Sequence, residues 1–501
     1  MINDYLKELI LHNFGLNPTA DQAKVIDSLC QFILSPDASS IFLLRGFAGT
    51  GKTTLISALV KTMKQLEREC TLIAPTGRAA KVFSLYADHP AFTIHKRIYR
   101  QKSIDKDSIF TLNYNMRQNI LFICDEASMI ANDEYTSGGL YGTGRLLDDM
   151  IHFVYGGKGC RLIIMGDTAQ LPPVGDFESP ALQESWLSGY GLNVISHTLT
   201  EVVRQAEHSG ILWNATRLRN LMDSERTLSL PQIRFSGFPD VCSLPGNELI
   251  ETLEQCYHRD GESETIVVTR SNKRANIYNN GIRAQILWRE EELEGRDMLM
   301  VAKNNYYWTE QLALQHLANA KAEGKAPEEA EALPFDFIAN GDLAIVQRIR
   351  NQRQFYGFTF ADAELTFPDH QDFSMEVTVL TDTLQAEAPA LTPTQQDTLF
   401  NNIMEDYQGD PSLKSKQDRL KALRQDPYYN ALQIKYAYAI TCHKAQGGQW
   451  TNVFIDQGYM TDEMLTPDYF RWLYTAITRA TERVFFVNWK KEQTLPSAAE
   501  K

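Results

Sequence analysis

A short glycine-rich segment near the N-terminus places the strongest constraint on how this chain can fold. An apolar run at 41–44 is long enough for one buried strand, and Gly46-x-x-x-x-Gly51-Lys52-Thr53 follows it directly. Apolar residues at 55–60 then continue with helical spacing. A strand, a glycine-rich turn and a helix in this order predict a P-loop, where backbone N–H groups and a helix N-terminus surround phosphate oxygens.

The P-loop assigns a role to each of its residues. We expect Lys52 to reach the β- and γ-phosphates of a nucleotide and the Thr53 hydroxyl to bind Mg²⁺. The predicted nucleotide-binding residues of this segment are Gly46, Ala48, Gly49, Thr50, Gly51, Lys52, Thr53 and Thr54.

Gln22 precedes the P-loop and has two possible roles. It lies three residues after Thr19, the spacing of a helix capping box. Its amide also carries a donor and an acceptor that could read the edge of an adenine base. The local sequence leaves both interpretations open.

Three further buried strands are predicted at 72–74, 120–126 and 161–167, each with polar residues at its C-terminal end. Repeated strand–turn–helix units predict a parallel sheet with its ligand-binding edge at the strand C-termini. Together with the strand at 41–44, they predict a RecA-like α/β core.

Paired carboxylates end the strand predicted at 120–126. We expect Asp125 to bind Mg²⁺ through its water shell and Glu126 to orient an attacking water. Neighbouring residues on a strand point to opposite faces, so the two acids could serve different partners. Phosphoryl transfer also needs a positive charge, for which Arg204 and Arg479 are the candidates. Spacing alone does not choose between these arginines.

Composition narrows the class of protein. The 501 residues carry a net charge of −14, which argues against a protein that coats DNA by bulk electrostatics. A local basic stretch remains at 78–106, with seven Lys or Arg against two acids. This stretch could be a basic surface that is solvated by water and binds no partner.

The seven cysteines are scattered without a C-x-x-C pair, which predicts reduced thiols and neither a zinc site nor a disulfide framework. No apolar run has membrane-spanning length, and the N-terminus lacks a secretory pattern. We therefore expect a cytoplasmic protein without a membrane partner.

The rest of the chain can be divided into segments by its predicted secondary structure. A small polar hairpin is predicted at 97–119, and a second α/β pattern begins near residue 200. Residues 341–385 have strand alternation and 396–426 have charged helical character. The chain then returns to α/β structure, with strands predicted at 436–441, 453–456 and 484–487.

Taken in order, these motifs resemble those of superfamily 1 helicases, and specifically the 5′→3′ branch that includes RecD and phage Dda. The matching residues are Gln22, the P-loop 46–53, Ala74-Pro-Thr-Gly-Arg-Ala-Ala80, Thr93-Ile-His95, Asp125-Glu126, Gly166-Asp-x-x-Gln170-Leu-Pro172, Arg204, Thr441-Cys-His-Lys-Ala-Gln-Gly447 and the run 474–479. A single motif is weak evidence for a family, but the ordered set of motifs is highly specific and covers nearly the whole chain.

The resemblance implies two RecA-like P-loop domains with ATP between them. Domain 1A would span 1–200, with a strand-separating hairpin (domain 1B) at 97–119. Domain 2A would combine 201–340 with 431–501. A β-rich, SH3-like insertion (domain 2B) would occupy 341–430.

The resemblance also implies roles for individual residues. The catalytic set would be Lys52, Asp125, Glu126, Gln170, Arg204 and Arg479, with Gln446 and Gly447 added to the nucleotide site. Single-stranded DNA would contact Pro75, Thr76, Arg78, Thr93, His95, Lys96, Thr441 and His443. Outside their motifs, His95 and His443 would be interpreted as ordinary core or surface histidines.

The function implied is an ATP- and Mg²⁺-dependent helicase, monomeric, that moves 5′→3′ on single-stranded DNA and acts at duplex junctions. One alternative is a RecD-like motor subunit of an exonuclease complex, with repair or nuclease partner proteins. Another is a DNA-stimulated ATPase that displaces proteins without separating strands. A P-loop ATPase unrelated to nucleic acid would leave the motifs at 74–80 and 441–447 unexplained.

Overall fold

In a computed structural model, residues 2–101, 110–132, 142–203, 209–222, 230–326, 333–335 and 337–496 are described. They form two α/β domains and a β-barrel. The predicted fold class, two RecA-like domains with a small hairpin and a β-rich insertion, is confirmed.

The first α/β domain surrounds a six-stranded parallel sheet of order β3-β2-β6-β7-β1-β8. The four strands predicted at 41–44, 72–74, 120–126 and 161–167 are present, although the third ends at Cys124 and the fourth at Gly166. Their apolar residues are buried because helices pack on both faces of the sheet. Its elements are α1 (Ile2–Phe14), α2 (Ala20–Leu34), β1 (Ser40–Gly46), α3 (Lys52–Gln65), β2 (Cys70–Ala74), α4 (Gly77–Ala87), β3 (Ala91–Thr93), α5 (Ile94–Ile98), β4 (Tyr99–Gln101), β5 (Phe110–Leu112), β6 (Leu121–Cys124), α6 (Leu146–Gly156), β7 (Arg161–Gly166), α7 (Glu184–Gly189) and β8 (Asn193–Leu199).

The predicted hairpin is present within this domain. Strands β4 and β5 pair in antiparallel fashion, with Tyr99 opposite Leu112. The loop between them, 102–109, lies outside the described residues, so the tip of the predicted strand-separating pin stays a prediction.

The rest of the chain supplies a second sheet and a barrel. In order, its elements are α8 (Gly210–Met222), β9 (Val241–Leu244), α9 (Leu249–Asp260), β10 (Thr265–Thr269), α10 (Asn272–Gln285), β11 (Met298–Val301), α11 (Tyr307–Ala322), β12 (Leu343–Phe355), β13 (Phe358–Phe367), β14 (Phe373–Leu380), α12 (Pro393–Asp406), α13 (Lys416–Arg424), β15 (Leu432–Tyr436), β16 (Ala439–Thr441), α14 (Cys442–Ala445), β17 (Trp450–Asp456), α15 (Pro467–Ile477) and β18 (Ala480–Val487). The second α/β sheet is parallel, with the order β16-β10-β17-β18-β9.

The barrel is wider than the β-rich insertion predicted at 341–430. It closes through β11-β12-β13-β14-β15, so its first and last strands lie outside that range. The run at 436–441, predicted as one strand, is also divided. Tyr436 ends β15 in the barrel, and β16 at 439–441 joins the second α/β sheet. Barrel closure requires pairing between distant segments, which local alternation does not reveal.

The acidic pair departs from the predicted strand geometry. Strand β6 ends at Cys124, and Glu126 has a left-handed backbone with φ of 51°. Asp125 and Glu126 therefore lie in the turn after the strand, and the argument that they occupy opposite strand faces does not apply.

All seven cysteines are free thiols, as predicted. Among the described residues, no helix is both long enough and apolar enough to cross a bilayer.

Candidate functional site

A cleft of about 360 Å³ lies between the two α/β domains. The first domain lines it with the P-loop and with the turns after β6 and β7, because parallel strands present their C-terminal ends at one edge. The second domain contributes the start of α8 and the segment after α15. The predicted catalytic residues that line this cleft are Lys52, Asp125, Glu126, Gln170 and Arg479, together with Thr53.

The P-loop has the backbone that its glycines predict. Gly49 and Gly51 take φ values of +76° and +80°, and α3 begins at Lys52. The Lys52 ammonium donates to the carbonyl oxygens of Gly46, at 2.5 Å, and Phe47, at 3.1 Å. A Cβ at Gly49 would lie 3.0 Å from the side chain of Leu212 on α8, so the second domain packs directly on this loop.

Gln22 fulfils the structural role that the sequence left open. Its Oε1 accepts the Thr19 N–H at 3.0 Å, which completes the capping box of α2. Its Nε2 donates to the Thr50 carbonyl at 2.9 Å, so the amide also supports the P-loop. Adenine recognition by Gln22 stays a prediction.

The acidic pair forms a half-buried carboxylate centre. Asp125 Oδ1 accepts the Glu126 N–H at 2.7 Å. Burial, reinforced by the charge of Glu126, raises the pKa of Asp125 to about 7. A cation would stabilise the ionised form, and the hydroxyl of Thr53 lines the same cleft. Two hard oxygen ligands fit Mg²⁺, which commonly takes its other ligands from water and phosphate. No cluster of three or more potential ligands occurs among the described residues.

One side chain from the second domain reaches this centre. Arg479 is 4% exposed, and its Nη1 lies 3.7 Å from Glu126 Oε1. Gln170 bridges them: with its amide oriented to satisfy both neighbours, it donates to Glu126 Oε2 at 3.3 Å and accepts from Arg479 Nη2 at 3.2 Å. Arg204, the other predicted trans-cleft arginine, lies outside the described residues.

The residue after Gln170 is held by the second domain at both ends of its peptide. Leu171 N–H donates to Thr475 Oγ1 at 2.9 Å, and its carbonyl accepts from Gln446 Nε2 at 2.7 Å. Gln446, predicted to bind nucleotide, thus lies beside the cleft lining, whereas Gly447 is part of it.

The residues predicted to bind nucleic acid lie at or just after the C-terminal ends of strands. Thr76 lies two residues after β2, and Thr93 is the last residue of the neighbouring strand β3. Their hydroxyls accept N–H groups in the first turns of α4 and α5. Thr441 is the residue before α14 in the second domain. A Cβ at Gly447 would lie 3.2 Å from Thr76 Oγ1, so the two domains meet here in one surface.

The basic side chains on this surface are already engaged. Arg78 stacks on Trp450 with its Cζ 4.0 Å from the ring centroid, and it donates to the Gln449 carbonyl at 3.2 Å. Lys96 donates to the carbonyl of Pro334. These contacts join the first domain to the second domain and to the segment leading into the barrel.

The two candidate histidines have different surroundings. The ring of His95 packs beside Tyr99 and Phe337, at centroid distances of 5.7 and 5.9 Å. Burial lowers the pKa of His95 to about 4, so the ring is uncharged at neutral pH. His443 is exposed at the start of α14, and desolvation by the surrounding protein lowers the pKa of its ring.

Two sequence families match the chain, one on each α/β domain. Residues 18–228 match a family described as an AAA domain, and residues 436–487 match the UvrD-like helicase C-terminal domain. The curated relatives include two helicases. The chain is 23% identical over 339 residues to the ATP-dependent DNA helicase PIF6 of Trypanosoma brucei brucei, covering 63% of this chain and 39% of that protein. It is 28% identical over 193 residues to the ATP-dependent RecD2 DNA helicase of Deinococcus radiodurans, covering 38% and 22%.

These family matches and helicase relatives support the resemblance to superfamily 1B helicases. The chain spans less than half of the length of either curated relative. Among solved structures, it resembles the Pif1 helicase from Bacteroides in complex with ADP-AlF3 and single-stranded DNA. That alignment covers 97% of this chain and 96% of the other at 16% identity, with a TM-score of 0.42.

One residue beside the cleft, at the interface between the two α/β domains, was not predicted from the sequence. Tyr474 lies in the run 474–479, which drew attention only for its arginine. Its hydroxyl contacts Ala48 of the P-loop and Asp167 after β7. The apolar spacing of α15 predicts a buried side chain at this position, but it does not identify the surface across which that side chain bonds.

Proposed function

We propose that the chain is a Mg²⁺-dependent ATP hydrolase that moves 5′→3′ along single-stranded DNA and separates duplex strands. The observation that supports this most is the contact of Glu126, Gln170 and Arg479 across the interdomain cleft. This contact brings together Glu126 as the base and Gln170 as the polar sensor, both from the first domain, with Arg479 as the cation from the second domain, beside the P-loop.

The proposed chemistry follows from this arrangement. Lys52 would neutralise the β- and γ-phosphates, and Thr53 and Asp125 would hold Mg²⁺, which supplies further positive charge there. Glu126 would orient and polarise the attacking water. Arg479 would stabilise charge that develops on the transferred phosphoryl group, and it would do so only when the domains are together.

Coupling to DNA would pass through the residues after Gln170. The peptide of Leu171 bonds to Thr475 and Gln446, and Gln446 belongs to the same short segment as Thr441 and His443. A change at the γ-phosphate that shifts Gln170 would therefore also shift the predicted DNA contacts of the second domain. This continuity supports a translocase over an ATPase without a nucleic-acid track.

The direction of movement has a direct test. We expect unwinding of duplexes with a 5′ single-stranded tail and no unwinding of duplexes with a 3′ tail, with ATP turnover stimulated by single-stranded DNA. The family resemblance carries this expectation. A strand-displacement assay on matched fluorescent substrates measures it, and equal or reversed preference would contradict the proposed polarity.

The Glu126→Gln variant tests the proposed base. It should bind ATP but hydrolyse it ~100-fold more slowly, the scale of losing general-base catalysis. Glu69→Gln is a suitable control, because Glu69 also pairs with an arginine, Arg117, on the surface. Turnover of the Glu126 variant near the wild-type rate would assign water activation to another residue.

A second function has one observation in its favour. The hairpin predicted at 97–119 is a short segment for a strand-separating pin. An ATPase that moves on single strands and displaces proteins would need no such pin. DNA-stimulated turnover without strand displacement on either tailed substrate would establish this alternative.

A further inference from the structure

The hydroxyl of Tyr474 lies at the centre of the interface between the α/β domains. Tyr474 is on α15 in the second domain and is 1% exposed. Its hydroxyl accepts the N–H of Ala48 in the P-loop at 2.8 Å and donates to Asp167 Oδ2 at 2.6 Å. One side chain of the second domain thus bonds to two separate loops of the first.

Both bonds involve groups close to the nucleotide site. Backbone N–H groups of a P-loop are its phosphate-binding donors, and Ala48 lies between Gly46 and Gly49. Asp167 is 1% exposed, and its other oxygen accepts the Ala169 N–H at 2.9 Å, which shapes the turn leading to Gln170. Burial raises the pKa of Tyr474 well above 10, so the phenol stays protonated and remains a donor to Asp167 at neutral pH.

The end of α15 connects these bonds to Arg479. Thr475, the next residue, accepts the Leu171 N–H through its hydroxyl, and its carbonyl accepts from Arg479 Nε at 3.1 Å. The guanidinium is therefore fixed to the same helical turn that Tyr474 attaches to the P-loop. A helix transmits position over such a distance because its backbone bonds hold it as one unit.

We propose that Tyr474 is a positioning residue: its hydroxyl holds the end of α15 against the P-loop and thereby places Arg479 beside Glu126. This inference rests on the proposed ATP hydrolase function. It adds to that function that the Tyr474 hydroxyl, which takes no direct part in the chemistry, sets the rate of ATP hydrolysis through Arg479.

Tyr474→Phe removes one oxygen and keeps the ring. Since hydrogen bonds to a charged group shift an equilibrium by about tenfold, we expect kcat to fall by about tenfold. The KM for ATP should change by less than about threefold, because substrate contacts remain. Tyr469→Phe is the matched control. Tyr469 is buried on the same helix, donates to Gln457 and accepts from Gln493, all within the second domain.

A double-mutant cycle separates positioning from general packing. In an Arg479→Ala background, Tyr474→Phe should cause no further loss of kcat, because the residue it positions is gone. An undiminished loss in that background would overturn the inference, as would an equal effect of Tyr469→Phe or a wild-type kcat in Tyr474→Phe.

Amide hydrogen exchange gives a readout that needs no catalysis. The Ala48 N–H should exchange faster in Tyr474→Phe than in the wild type or in Tyr469→Phe. Unchanged protection at Ala48 would disprove the contact itself. A wild-type protein that hydrolyses no ATP but shows this difference would refute the proposed function while leaving the domain contact of Tyr474 established.

Discussion

Lys52→Ala should abolish ATP hydrolysis while the fold remains intact. Lys52 begins α3 at the mouth of the P-loop, where its ammonium bonds only to backbone carbonyls of Gly46 and Phe47 among the described residues. Within the described part of the chain no ion pair of Lys52 is lost, whereas the positive charge proposed to neutralise the β- and γ-phosphates is removed. A single preorganised donor contributes ~10²–10³-fold, so we expect a loss at or beyond the upper end of that range.

The measurement is steady-state phosphate release at saturating single-stranded DNA, with thermal unfolding recorded in parallel. Lys61→Ala provides the control, since Lys61 is an exposed lysine on the same helix. Normal turnover by a folded Lys52→Ala protein would contradict the P-loop assignment.

Arg479→Ala should lower turnover by roughly 10³-fold, the scale of an arginine finger, and leave the affinity for single-stranded DNA largely unchanged. The reason is its position. The guanidinium comes from the second domain and reaches Glu126 and Gln170 across the cleft, so it can stabilise developing charge only when the domains meet. ATPase rates across a DNA titration measure both properties at once.

Arg483→Ala is the matched control, because Arg483 pairs with Asp260 within the second domain. Substitutions on the DNA side should behave in the opposite way. Thr76→Asp combined with His443→Ala should weaken DNA binding and remove DNA stimulation while basal hydrolysis is retained. Aspartate keeps an N-cap on α4, which alanine would lose. An Arg479→Ala protein that hydrolyses ATP normally at saturating DNA would refute its trans-cleft role.

Local elements of the fold follow directly from the sequence. The P-loop is specified by glycines that must take positive φ and by the apolar runs on either side. The capping box of α2 follows from two side chains three residues apart. Buried parallel strands appear as continuous apolar runs, so β1, β2, β6 and β7 were all predictable.

Motif order extended this local information to the whole chain. It predicted that Lys52, Asp125, Glu126, Gln170 and Arg479 would share one site, and the structure brings them to a single cleft. The assignment of these residues to catalytic steps remains a proposal, as do the DNA contacts.

Other features depended on pairing between distant segments. The barrel closes with β11 and β15, which flank the predicted insertion, because closure is a property of backbone bonding and not of local alternation. The segment at Asp125 and Glu126 likewise differs from a continued strand, since Glu126 takes a left-handed backbone with φ of 51°.

The sequence alone therefore determined the phosphate-binding loop, the buried strands and the family resemblance, because each depends on residues close together in the chain or on motif order. Only the tertiary structure decided which side chains bond across the cleft. From the sequence, Tyr474 could have been an aromatic residue in the core of one domain, and Arg78 a solvated cation. In the structure, Tyr474 bonds to Ala48 and Arg78 stacks on Trp450, in each case across the interface between the domains. The physical reason is that a hydrogen bond or a stacked ring is set by three-dimensional proximity, and neither residue type nor spacing specifies the partner.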